Sequence, residues 1–260
     1  MGDWLLSIAA MAGMVIWSLL VRDGRTSLAG FGVALWFPIS IGLYRVLLRW
    51  LPMIGGVYAC PVRATSQQQR EITAGCLLTA AFSMLCLACM PAPIAAANIL
   101  ALNFACLAAL FDRIAGWLPN HVLIPMLLAG LLAGALRGGA NAAILGAAAS
   151  WGAAVLALLF LSVSLRANLL SGEDVAMAAA CGAWVGIGDL SIFLSVTGFL
   201  YWASCVAVRH VRAPGWGRLD GPERIRMQPT GPSFALGLAI TLLLHGVPGL
   251  PSWVYRIAAH

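Results

Sequence analysis

The sequence contains no lysine, and its acids are scarce: nine Asp and Glu stand among 260 residues, against fifteen Arg. Charged residues make up 9% of the chain and apolar residues 62%, with a mean hydropathy of +0.93. So little polar surface excludes a soluble globular domain of this length, because its exterior could not be covered. The net charge of +6 comes from Arg gathered in short polar stretches rather than on one face. That distribution reads as membrane topology and argues against a nucleic-acid partner. Also missing are a His-Glu-x-x-His helix, a Gly-x-Ser-x-Gly elbow and any Cys and His pairing suited to thiol catalysis, so metallopeptidase, serine hydrolase and cysteine protease chemistry have no anchor. No internal repeat of fixed period and no low-complexity linker is visible. Seven Cys are present, but all except Cys60 lie in apolar stretches, which excludes a disulfide framework. Asp3 stands where a signal peptide needs a basic region, so the first apolar segment reads as an uncleaved transmembrane helix.

What is there is hydrophobic length. Taking about 20 apolar residues as enough to cross the hydrocarbon core, the candidate helices are 4–20, 28–50, 72–90, 94–111, 122–136, 142–165, 175–188, 190–208 and 233–247. The expected fold is an all-α polytopic transmembrane bundle of nine spans, or eight if one of the short segments 122–136 and 175–188 re-enters or merges. Positive side chains are retained on the cytoplasmic side of short loops. With the N-terminus inside, eleven Arg face the cytoplasm and four (Arg22, Arg25, Arg137 and Arg256) face out. The polar loops 51–71 and 209–231 then become cytoplasmic. Composition changes near Pro91-Ala92-Pro93, which suggests an N-terminal transmembrane part, 1–91, followed by a second transmembrane part, 92–260.

Ionisable groups in or beside apolar helices are costly, so each is a functional candidate until a simpler reason is found. Asp112 closes an apolar run and is followed by a turn through Gly116, with Pro119-Asn120 opening the next helix. Its simpler reason would be an interfacial pair with Arg113. Asp174 begins the stretch Val175-Ala176-Met177 after Ser171-Gly172-Glu173, where the helix dipole alone would favour an acid. In the orientation above both acids reach the cytoplasmic boundary of the membrane and can meet. Two close carboxyls share a proton, one serving as base toward a water and the other donating to the attacked carbonyl. Such a pair titrates as a unit, so neither Asp is assigned the proton. Asp189, in a literal Gly186-Ile187-Gly188-Asp189, falls on the outer side and reads as a polar turn residue. His121, close to Asp112 in sequence, could tune it but needs no special role.

These residues resemble the type IV prepilin peptidases, membrane aspartyl peptidases of the Gly-x-Gly-Asp class. The first likeness is Asp112 followed by a short turn and Pro119-Asn120. The second is Asp174-Val175 with Gly182-Ala183-Trp184-Val185-Gly186 downstream, and the third is Gly231-Pro232 opening the last helix, followed by Ala235-Leu236-Gly237. They occur in the family's order over 94–244. The chain departs from the pattern at Ser171-Gly172-Glu173-Asp174, where both glycines are replaced, and at Ala176, where the family commonly has Lys. Bifunctional members carry two Cys-x-x-Cys pairs in an N-terminal cytoplasmic loop. The corresponding loop here has Cys60 alone, too few thiolates for a zinc site, and Cys86-Leu87-Ala88-Cys89 lies within an apolar helix. The resemblance therefore gives methyltransferase activity little support, although a missing metal site does not by itself exclude it.

The resemblance implies an aspartic endopeptidase of the bacterial inner membrane. It would use Asp112 and Asp174, without cofactor or metal, to remove the short leader of prepilins or pseudopilins at the cytoplasmic face. Its implied partners are that substrate and membrane lipid. Two other readings stay open: a membrane component of a pilus or secretion apparatus that has lost efficient chemistry through the altered loop, and a small-solute transporter using intramembrane acids.

Overall fold

The computed structural model of the chain describes residues 24–54, 64–165, 172–210 and 229–246. Among them every regular element is a helix. In chain order these are α1 (Gly24–Ile54), α2 (Ser66–Cys89), α3 (Ala92–Ala115), α4 (Asn120–Leu136), α5 (Ala140–Leu165), α6 (Gly172–Val185), α7 (Leu190–His210) and α8 (Gly231–Gly246). Each of the eight expected helices after 4–20 is present. The segment 4–20, Cys60, Ser171 and most of the polar loop 209–231 lie outside the described residues.

Local chemistry places the helix ends. Thr65 caps α2 in a reciprocal box: its Oγ1 accepts the Gln68 N–H at 3.3 Å, and the Gln68 Oε1 accepts the Thr65 N–H at 2.9 Å. Pro91 precedes α3, where a missing N–H costs nothing. Gly116 ends α3 in the left-handed conformation, φ 63°, and its N–H returns to the Asp112 carbonyl at 3.0 Å. The turn expected through Gly116 is therefore present. The helix runs further than the apolar pattern suggested, so Asp112 sits in its last turn rather than beyond its end. Polar Asp112 and Arg113 break the hydrophobic run but not the backbone hydrogen bonding.

Length and apolarity qualify four helices to cross a membrane: Ala34–Leu51, Ser66–Cys89, Ala92–Ala115 and Ala140–Phe160. Asn120–Leu136, Leu190–Val206 and Gly231–His245 are shorter apolar helices. The count of eight or nine full spans is thus not reproduced by length. The 14 residues of α6 rise only about 21 Å at 1.5 Å each, against about 30 Å of hydrocarbon.

Packing explains how so short a helix is accommodated. From Met177 to Trp184 every residue of α6 is buried, within a ring formed by α4, α5 and α8. Its small residues allow close approach. At Gly182 an added Cβ would lie 2.5 Å from the Ser150 Cβ of α5, and at Gly130 of α4 one would lie 2.9 Å from the Trp184 ring. Trp184 Nε1 donates to the Met126 carbonyl at 2.9 Å, fixing α6 against α4. The outer surface is apolar, with Leu136, Leu156, Phe160, Phe199 and Trp202 among its most exposed residues. That is the exterior of a protein whose solvent is lipid.

Candidate active site

Three helix ends meet at one end of the bundle: the C-terminus of α3 and the N-termini of α6 and α8, with α3 and α6 both packed on α8. The meeting point is the dipeptide Thr230-Gly231. The Thr230 hydroxyl donates to Asp174 Oδ1 in a very short contact, and the Gly231 N–H donates to Asp112 Oδ2 at 2.6 Å. Two acids 62 positions apart in sequence are thus held by consecutive residues. Asp112 also lies within electrostatic reach of Asp174 and Glu173. Asp174 is buried and Asp112 half-buried.

The geometry follows from helix-end chemistry. The first N–H groups of an α-helix have no partner inside it and carry the positive end of the dipole. At α8 these donors face Asp112, whose carboxylate caps the helix from outside. Thr230 stands at the cap position, its carbonyl accepting the N–H groups of Ser233 and Phe234, while its side chain turns to Asp174. Position 231 leaves no free room for a side chain. A Cβ there would lie 2.9 Å from Asp112 Oδ2, 3.0 Å from Asp112 Cβ and 3.1 Å from the Ala109 Cα.

The second acid of the altered loop has a separate task. Glu173 Oε2 accepts the Leu118 N–H at 3.0 Å, tying the start of α6 to the turn after Asp112. Because α6 begins at Gly172, Glu173 takes a helical backbone open to any L-residue, and losing a glycine there strains nothing. Arg113 binds Glu71 of α2 through two contacts of 3.1 and 3.2 Å. The side chain of His121 is exposed.

An apolar cavity of about 290 Å³ opens beside Asp174, between α5, α6, α7 and α8, with Ala153, Ala157, Tyr201, Thr230 and Phe234 in its wall. Tyr201 is also within electrostatic reach of both acids. Asp189 lies at the other end of the bundle, in the turn between α6 and α7, 2.7 Å from His245 near the end of α8. The structure therefore brings Asp112 and Asp174 together and leaves Asp189 apart.

The sequence did not single out Thr230 or Tyr201 and marked Gly231 only as a helix opening. A Thr-Gly-Pro run signals a helix start, but nothing in it tells which acids that start will face.

Residues 99–207 match the model of the type IV leader peptidase family. The matched segment contains both acids and ends before Thr230-Gly231. No curated protein and no solved structure matches the chain.

Proposed function

We propose that this chain is an intramembrane aspartic endopeptidase that removes the leader of prepilin-type substrates, with Asp112 and Asp174 as its catalytic pair. The observation that carries the reading is the seating of both carboxylates on Thr230-Gly231 at one end of the bundle, together with the family match. In this scheme the ionised carboxyl takes a proton from water, and the water oxygen attacks the scissile carbonyl carbon. The protonated carboxyl hydrogen-bonds the carbonyl oxygen as charge develops there. Collapse of the tetrahedral intermediate breaks the C–N bond, and the proton passes to the departing amine. The reaction resides in the 92–260 part of the chain, with the earlier helices flanking it.

Topology supports a cytoplasmic site. Arg45, Arg49, Arg70 and Arg113 belong to the same end of the bundle as the pair, and Arg137 follows α4 at the opposite end. A substrate carrying an apolar helix can lie in the bilayer beside the enzyme and present its polar leader junction at that boundary. The cavity beside Asp174 then receives an apolar side chain next to the scissile bond.

The test is cleavage of a co-expressed prepilin, read as a mobility shift, by the wild type and by Asp112→Asn, Asp174→Asn and Asp189→Asn. Loss of cleavage with the first two and its retention with the third is expected. Retained cleavage in Asp112→Asn or Asp174→Asn would refute the pair. A wild type that cleaves no cognate prepilin would favour a non-catalytic membrane component instead.

A further inference from the structure

A second cavity, of about 460 Å³, lies at the same end of the bundle but on the far side of α3, between the end of α1 and the start of α2. It is walled by Arg45, Leu48, Arg49, Gln69, Ile72 and Ile114, with Ala64 at its edge. Arg45 and Arg49 are four residues apart on α1 and share its face. No acid lines the cavity among the described residues. Glu71, two positions beyond Gln69 on α2, is engaged by Arg113 through two contacts. Gln69 directs its Nε2 to the Ala64 carbonyl at 3.5 Å. The Arg45 Nε atom is buried and has no hydrogen-bond partner among the described residues. A buried guanidinium N–H without an acceptor is costly unless an anion enters, and two guanidiniums beside one cavity match a phosphate group in charge and geometry.

We propose that this cavity binds the phosphate of an anionic phospholipid headgroup. The cavity lies at the end of the apolar stretch Ala34–Leu51, the depth at which headgroups reside. Trp50 lies under the Arg49 guanidinium, 5.4 Å from ring centroid to Cζ, as aromatic side chains do at the membrane interface. Ile39 and Leu43 are exposed on α1 within two turns before Arg45, and Val46 directly after it, an apolar track for acyl chains beside the head. A free phosphate would use the two Arg but not this track. The inference does not depend on peptidase activity, and its test reads none.

The experiment is native mass spectrometry of the full chain in detergent, titrated separately with phosphatidylglycerol, phosphatidylcholine and inorganic phosphate. The wild type should retain phosphatidylglycerol at least about tenfold more tightly than phosphatidylcholine, and Arg45→Gln should weaken that retention by about tenfold or more. Arg49→Gln, at an exposed position that packing does not depend on, should weaken it as well. Arg45→Lys should restore part of it, and Arg137→Gln at the other end should change nothing. Equal retention of the two lipids, or retention unaffected by both Gln variants, would overturn the proposal. Displacement of phosphatidylglycerol by inorganic phosphate at comparable concentration would also overturn it, by showing a site for free phosphate rather than lipid.

Discussion

Gly231→Ala is a one-methyl perturbation aimed at the seat of the proposed catalytic pair. The new Cβ would lie 2.9 Å from Asp112 Oδ2, 3.0 Å from Asp112 Cβ and 3.1 Å from the Ala109 Cα. The Asp112 carboxylate could swing away, but the Ala109 Cα is helix backbone. The start of α8 must therefore retreat from α3 by roughly a few tenths of an ångström. Either response lengthens the 2.6 Å bond from the Gly231 N–H to Asp112. A hydrogen bond to a charged group contributes about 1.5–3 kcal/mol. At about 1.4 kcal/mol per factor of ten, its loss from the reacting geometry lowers the cleavage rate roughly ten- to a hundredfold. Initial rates of prepilin cleavage measure this. Gly188→Ala is the matched control, since a Cβ at Gly188 meets nothing within 4 Å among the described residues, and it should cleave at the wild-type rate. A Gly231→Ala enzyme that folds and cleaves within about twofold of wild type would refute the claim that α8 positions Asp112.

Glu173→Ala should leave the Leu118 N–H without its acceptor, cost about 1–3 kcal/mol and slow cleavage several-fold. Glu173→Gln keeps an acceptor oxygen and should stay near wild type, so equal loss in both variants would show that the charge matters rather than the hydrogen bond. Trp184→Phe removes the 2.9 Å bond to the Met126 carbonyl and should lower the thermal midpoint by a few degrees, for about 1 kcal/mol, measured by fluorescence or static light scattering in detergent. Gly182→Ala drives a Cβ to 2.5 Å from Ser150 Cβ and 2.8 Å from its Oγ, and should destabilise by about 1–3 kcal/mol. Adding Ser150→Gly should recover part of that loss but not all, because the Gly146 carbonyl remains in the way; no recovery would place the strain elsewhere.

Much of the molecule was legible in its residues because lipid imposes simple rules. Backbone groups in hydrocarbon must bond within their own segment, so long apolar runs become helices, and all eight expected helices after 4–20 are found. The turn after Asp112 was readable because Gly116, Pro119 and Asn120 each have one strong conformational preference. The two acids stood out because the chain has so few, and the topology that separated Asp189 from them required only counting helices. Span count was less legible, since hydropathy reports apolar length and cannot tell a helix facing lipid from one ringed by other helices. α6, buried from Met177 to Trp184, is of the second kind.

The sequence by itself determined the helices, their order, the alternation that sends Asp112 and Asp174 to one end, and the scarcity of charge that makes those acids conspicuous. Only the tertiary structure decided what holds them. That α8 would begin against both acids, with Thr230 on one and the Gly231 N–H on the other, depends on α3 and α6 packing on α8, which local pattern does not encode. The use of Glu173 as an anchor for the Leu118 N–H belongs to the same level. In the sequence it stands only as an extra charge beside Asp174, and the hydrogen bond exists because a turn 55 residues earlier folds back to meet it.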